Sequence, residues 1–72
     1  MNPKKNCNII IEDHAEERRI QRGLTRVDLE KVVREGNWER RNDGKVDASF
    51  GKWVVRVEIG KCNLGVITVF KG

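Results

Sequence analysis

The sequence predicts an α+β domain in which one N-terminal strand and two short helices precede a three- to four-stranded antiparallel sheet, with the helices packed on one face. Two observations predict this order. Apolar residues at helical spacing lie in the first half of the chain, whereas alternating apolar and polar residues fill the second half. With 72 residues, we expect one small domain, with residues 1–5 loosely held at its N-terminus.

The first strand and first helix are predicted from a change of pattern near residue 12. The run CNIIIE, residues 7–12, is rich in β-branched side chains and is typical of a strand. Asp13 is the expected N-cap of the first helix, with Glu16 at its third position in a box-like pattern. Gly23 is the expected residue at which this helix ends.

The second helix has more complete signals. Thr25 is the expected N-cap, Asp28 occupies the third helical position, and Leu24 can pack against Leu29. Gly36 is expected to end the helix. The apolar stripe of this helix consists of Leu29, Val32 and Val33.

The second half of the chain predicts antiparallel strands joined by turns. Asp43-Gly44 is a hairpin signal between two strand-like runs. The expected strands are residues 37–41, 46–50, 53–59 and 65–70, with a turn at 60–64. In the third of these, alternation places Trp53, Val55, Val57 and Ile59 on one face and Val54, Arg56 and Glu58 on the other.

The charge balance favours an acidic partner, above all a nucleic acid. The chain has 15 Lys and Arg against 11 Asp and Glu, a formal charge of +4 and an isoelectric point near 9.4. No apolar run is long enough for a membrane and no signal peptide is evident, so we expect no membrane contact and a cytoplasmic location. Cys7 and Cys62 lack the paired spacing of zinc or redox motifs, so we expect no metal site and no cofactor.

A histidine and two arginines, His14, Arg18 and Arg22, recur at steps of four in the first predicted helix. This spacing places them on one stripe of the helix. A neutral imidazole can move a proton to or from an RNA hydroxyl, and guanidinium groups can stabilise charge on phosphorus. The three residues are therefore the candidate catalytic set for RNA cleavage without a metal ion.

A structural interpretation of this stripe stays open beside the catalytic one. His14 could cap its own helix or hydrogen-bond to the neighbouring strand. Arg18 and Arg22 could form ion pairs with Glu residues of their own helix or with acidic residues of the sheet: Glu39, Asp47 or Glu58. Exposed arginines without carboxylate partners would favour a role with RNA, whereas paired arginines would favour a structural role.

Four further basic residues flank or occupy the predicted sheet and are candidates for binding RNA phosphates: Arg40, Arg41, Lys52 and Arg56. Arg56 lies on the strand face opposite Trp53. If Trp53 faces the helices, Arg56 points outward with Glu58 as an exposed pair. If the sheet holds a ligand on that second face, Arg56 lines the ligand site.

Residues 13–36, DHAEERRIQRGLTRVDLEKVVREG, resemble the opening of a family of small prokaryotic domains catalogued as domain of unknown function 4258. The family pattern is His-Ala-x-x-Arg-x-x-x-Arg-Gly, then an aliphatic residue, a Thr or Ser cap and a second helix. The matching residues are His14, Ala15, Arg18, Arg22, Gly23, Leu24 and Thr25. Residues 66–70, VITVF, resemble the closing strand of the family, although Phe70 stands where the family typically has a Tyr.

The resemblance implies an element order like that of the RelE and ParE toxins, and an RNA-directed activity with a cognate antitoxin-like protein as a partner. His14, Arg18 and Arg22 are the motif positions that carry over. Two other hypotheses remain: a non-catalytic protein-interaction domain, and a homodimeric structural domain in which the stripe forms ion pairs. The leading hypothesis is a small basic toxin-like domain that binds RNA or cleaves it as a metal-independent endoribonuclease.

Overall fold

The computed structural model describes residues 8–61 and 63–72, so the predictions for residues 1–7 and for Cys62 lie outside the described residues. These residues form two helices and five strands, which confirms the α+β class. Their order is β1 (Asn8–Ile11), α1 (Asp13–Arg22), α2 (Arg26–Glu35), β2 (Asn37–Arg40), β3 (Val46–Phe50), β4 (Trp53–Ile59) and β5 (Asn63–Lys71).

All five strands belong to one mixed sheet, in the order β1-β5-β4-β3-β2. Strand β1 pairs in parallel with β5, from Asn8 opposite Asn63 to Ile11 opposite Val66, and the other pairs are antiparallel. The four C-terminal strands are antiparallel to one another as predicted, but the expectation of a three- to four-stranded antiparallel sheet is wrong, because β1 joins it as a fifth, parallel strand. The N-terminal strand adds beside the last strand, a long-range pairing that no local pattern specifies.

Both helices pack on the same face of the sheet, as predicted. Helix α1 contacts β5, and α2 contacts β3 and β4. Val55 and Val57 are fully buried beneath the helices, so Arg56 between them lies on the opposite face. We call that opposite face the outer face of the sheet. The buried core comprises Ala15, Leu29, Val32, Val33, Ala48, Val55, Val57, Leu64, Val66 and Val69.

Helix α1 begins one residue earlier than predicted. Its N-cap is Glu12, whose side chain makes no capping hydrogen bond, so the prediction of Asp13 as the cap is wrong. The backbone N–H of Glu12 donates to Val66 at 3.1 Å and extends the β1 pairing up to the helix. Gly23 ends the helix as predicted, at φ 74°, and the N–H of Leu24 donates to Arg19 at 2.9 Å in a Schellman arrangement.

Helix α2 confirms the sequence prediction closely. Thr25 and Asp28 form a reciprocal capping box, with hydrogen bonds of 2.9 and 3.1 Å. Gly36 ends the helix, and a Cβ there would lie 2.5 Å from the carbonyl oxygen of Ser49. The close passage of α2 over β3 therefore requires glycine at this position.

Strand β5 is longer than predicted, because it begins at Asn63 rather than at residue 65. The N–H of Gly60 donates to Asn63 at 2.9 Å and closes the turn early. A β-bulge between Arg56 and Val57 leaves Ile67 without a partner on β4. Neither helix in residues 8–61 and 63–72 is long and apolar enough to cross a membrane.

Candidate functional site

The structure places His14, Arg18 and Arg22 together on α1, and all three are exposed. Ala15 is fully buried against the sheet and fixes which side of the helix faces inward. Consecutive members of the trio are four residues apart, so their Cβ atoms lie about 6 Å apart along the helix. We call these three residues the outer stripe of α1.

The two arginines of the outer stripe have no carboxylate partner among residues 8–61 and 63–72. Arg18 donates to the side-chain oxygen of Gln21 at 3.2 Å, a neutral acceptor that leaves the charge of the guanidinium intact. Arg22 forms no salt bridge in the same described ranges. The partners considered from the sequence therefore form no salt bridge with the stripe in these ranges: Glu residues of the same helix, Glu39, Asp47 and Glu58.

Most other arginines are neutralised. On the helices, Arg19 and Arg26 both bind Glu16, and Arg34 lies 3.8 Å from Glu30. The hydrogen bond from Arg19 is the main reason that the pKa of Glu16 lies below its ordinary value. Arg19 and Arg26 thus differ from the stripe in having a carboxylate within reach.

Arg41 and Arg56 meet at Asp47 on the outer face of the sheet. Arg56 Nε donates to Asp47 Oδ1 at 3.0 Å, and Arg41 Nη1 donates to Oδ2 at 3.2 Å. The Arg56 guanidinium also lies 5.3 Å from the centre of the Phe70 ring. We call Arg41, Asp47, Arg56 and Phe70 the Asp47 cluster.

Hydrogen bonding to Asp47 raises the pKa of Arg56. Arg41 has a second acidic neighbour, because its Nε lies 3.5 Å from Asp43. The cluster is therefore a cross-strand ionic network in which carboxylates already occupy the donor groups. The exposed Arg56–Glu58 pair considered from the sequence is replaced by the pairing of Arg56 with Asp47.

The remaining two candidates form no ion pair with the cluster, although Arg40 lines the same surface groove as Arg41 and Asp47. Arg40 is exposed on edge strand β2 and has no salt bridge among the residues that the structure describes. Lys52 lies in the turn between β3 and β4, with its ammonium 5.7 Å from the ring centre of Trp53. The seven predicted residues thus occupy separate places: one face of α1, the outer face of the sheet, edge strand β2 and the β3–β4 turn.

Sequence reasoning missed two features. Asp47 was not assigned to Arg56, although the two-residue turn between β3 and β4 places these residues opposite each other. The grouping of Lys31 and Lys71 with Lys52 and the aromatic rings around that turn was also missed, because Lys31 and Lys71 come from elements distant in the sequence. The hairpin register could have revealed the pairing of Asp47 with Arg56, whereas the grouping of lysines and rings depends on tertiary packing.

The described residues contain no group of three or more His, Cys, Asp or Glu side chains able to hold a metal ion. Cys7 and Cys62 lie outside those residues. His14 contributes the imidazole of the outer stripe. The stripe can therefore bind phosphates through two forked donors and exchange one proton through an imidazole.

Comparison of the chain with family models, with curated proteins and with solved structures gave no match.

Proposed function

We propose that this protein is a small toxin-like RNA-binding domain whose contact surface is the outer stripe of α1, and that it cleaves RNA without a metal ion. One observation carries the proposal: Arg18 and Arg22 are exposed and lack carboxylate partners in the described ranges, while five other arginines are paired. Unneutralised guanidinium groups attract phosphates most strongly. The net charge of +4 acts in the same direction.

The proposed chemistry follows from the order of the stripe. The imidazole of His14 takes the proton from a ribose 2′-hydroxyl, whose oxygen attacks the adjacent phosphorus and displaces the 5′-oxygen. Arg18 and Arg22 stabilise the negative charge that develops on the phosphoryl oxygens. The leaving 5′-oxygen takes its proton from water, and the products end in a 2′,3′-cyclic phosphate and a 5′-hydroxyl.

The motif supports a further part of the proposal, membership in the domain of unknown function 4258 family. Four of its positions, His14, Ala15, Arg18 and Arg22, lie on α1, and Gly23 ends that helix. Ala15 is buried while the charged positions are exposed, as expected if the first packs the helix and the others contact a ligand. A RelE-like fold, a cytoplasmic location and a cognate antitoxin-like partner belong to the same proposal.

Binding is tested by titrating a labelled single-stranded RNA with protein in EDTA at several salt concentrations. Substituting Arg18 and Arg22 together by Ala should reduce the slope of log affinity against log salt by about 1.4, since each lost phosphate contact removes about 0.7. Arg26→Ala is the matched control, because it removes an arginine that is already paired with Glu16. If RNA affinity and its salt dependence fell as much per arginine in the control as in the double variant, the proposed role of the stripe would be contradicted.

Cleavage is tested by incubating the wild-type protein and His14→Ala with labelled RNA in EDTA and identifying the product ends. We expect cyclic phosphate ends from the wild type and none from the variant. His14 is exposed, so the variant should keep its fold, which circular dichroism checks. Absence of cleavage by a wild type that binds RNA would reduce the proposal to a binding domain.

A second candidate function is a non-catalytic protein-interaction domain, as a partner in a two-protein module or as a homodimer. It is favoured by the outer face of the sheet, on which Ile10 is 51% exposed and no helix packs within the described residues. Binding of a partner there would weaken when Ile10 is changed to Lys, whereas RNA binding through α1 would not.

A further inference from the structure

Two aromatic residues are paired across the strands where β3 turns into β4. Phe50 and Trp53 are cross-strand partners on either side of a two-residue turn, in which Gly51 adopts a φ of 61°. Phe50 is 40% exposed, whereas Trp53 is half-buried and packs against the core. The hairpin therefore presents a rigid and partly open aromatic surface.

Three lysines surround these rings. Lys31 of α2 lies 5.4 Å from the centre of the Phe50 ring, and Lys52 and Lys71 lie 5.7 and 5.9 Å from the Trp53 ring. All three are exposed, and none forms a salt bridge with a carboxylate in the part of the chain that the structure describes. We call Phe50, Trp53, Lys31, Lys52 and Lys71 the aromatic–lysine patch.

The patch borders a surface groove of about 340 Å³ between α2 and the hairpin. Leu24, the residue after the Gly23 helix stop, also lines this groove. Leu24 is two residues from Arg22, and two residues span at most about 7 Å of chain. The groove therefore begins close to the C-terminal end of the outer stripe.

Asp28 is the acidic residue that lines the groove, together with Lys31. Its carboxylate accepts the backbone N–H of Thr25 and belongs to the α2 capping box. One carboxylate lines the groove, whereas one lysine lines it and two more lie at the Trp53 ring, so this surface is positive and suited to an anionic ligand with flat rings.

We propose that the aromatic–lysine patch stacks unpaired bases and binds the phosphates beside them, so that the protein selects single-stranded over double-stranded RNA. This inference rests on the proposed RNA binding. Aromatic rings stack on any base whose face is open, and lysines next to them follow the backbone. In a duplex the base faces are covered by their neighbours, so the same patch offers only its charge.

The inference is tested with a ten-nucleotide oligouridine and a ten-base-pair RNA duplex as probes. Phe50→Leu keeps an apolar side chain but removes the ring, and should weaken binding of the single strand about tenfold. Binding of the duplex should stay within about twofold of the wild type, because no base stacks there. Val27→Ala, at a 71% exposed apolar position on α2, is the control for loss of apolar surface.

A second variant separates charge from stacking. Lys52→Ala should weaken binding of both probes, whereas Lys45→Ala, which removes a lysine 4.0 Å from Asp43, should weaken neither. Thermal unfolding of each variant checks that the fold is kept. If Phe50→Leu binds single strands like the wild type while the Arg18 and Arg22 variant binds weakly, this inference is wrong and the proposed function stands. A wild type that binds neither probe overturns both.

Discussion

The outer stripe of α1 and the Asp47 cluster each carry two arginines, but only one of these regions offers its charge to a ligand. Arg41 and Arg56 share the Asp47 carboxylate at 3.2 and 3.0 Å. Arg18 and Arg22 have no such partner in the described ranges, and Arg18 contacts the neutral Gln21 there. Under the proposed function, the placement of carboxylates, rather than the number of basic residues, determines which surface attracts RNA phosphates.

Removing the carboxylate from the Asp47 cluster should make its arginines resemble those of the outer stripe. Asp47→Asn weakens the charge-assisted hydrogen bonds from Arg41 and Arg56, which we expect to cost about 1–2 kcal/mol of folding free energy at these partly exposed positions. The same change frees two guanidinium groups, so RNA affinity should rise severalfold and depend more steeply on salt. Urea unfolding and RNA titration measure the two effects.

Asp43→Asn serves as the control, since Asp43 is more exposed and lies 3.5 Å from Arg41 alone among the arginines. Its effect on both measurements should be smaller. Unchanged RNA affinity in Asp47→Asn would show that freeing arginines on the outer face does not create a binding surface.

The converse change places a carboxylate on the outer stripe. Gln21→Glu is nearly isosteric and turns the acceptor of Arg18 into a charged one. We expect folding stability to change by no more than about 0.5 kcal/mol, because this is an exposed i,i+3 pair near a helix C-terminus. RNA affinity should fall about threefold, since the introduced carboxylate then competes with one phosphate for Arg18. Parallel titrations of the wild type and the variant measure this.

The smallest expected effect concerns the paired arginines of the helices. The pKa of Glu16 lies below its ordinary value of 4.5, mainly through its hydrogen bond with Arg19. Ionised Glu16 therefore stabilises the fold fully above about pH 4.5, and this contribution is lost as the pH falls through the lower folded-state pKa. Between neutral and acid pH, Glu16→Gln should lose less thermal stability than the wild type. Glu17→Gln, which changes an exposed neighbour, should behave like the wild type.

Local signals predicted much of the fold. The Thr25–Asp28 capping box, the helix stop at Gly23 and the alternation in β4 act over a few residues and appear in the structure as expected. The parallel pairing of β1 with β5 was missed, because it joins residues more than fifty positions apart and leaves no periodic trace. The N-cap of α1 was misplaced by one residue because Glu12 continues the strand pairing with Val66.

The sequence predicted the position of the candidate site, but not which arginines of the protein are paired with carboxylates. Steps of four placed His14, Arg18 and Arg22 on one stripe, and the exposure of that stripe agrees. Which arginines are neutralised depends on cross-strand register and on side chains from other elements, as at Asp47. The aromatic–lysine patch depends on α2 passing beside the β3–β4 hairpin, a contact that only the folded chain creates.

The central claim is that RNA binds at the outer stripe of α1. It is tested most directly by titrating isotope-labelled protein with a ten-nucleotide RNA and mapping backbone amide shifts by NMR. We expect the largest shifts in α1 around His14, Arg18 and Arg22, and small shifts at Asp47 and Arg56. Shifts centred on the outer face of the sheet, or no shifts at saturating RNA, would contradict the claim.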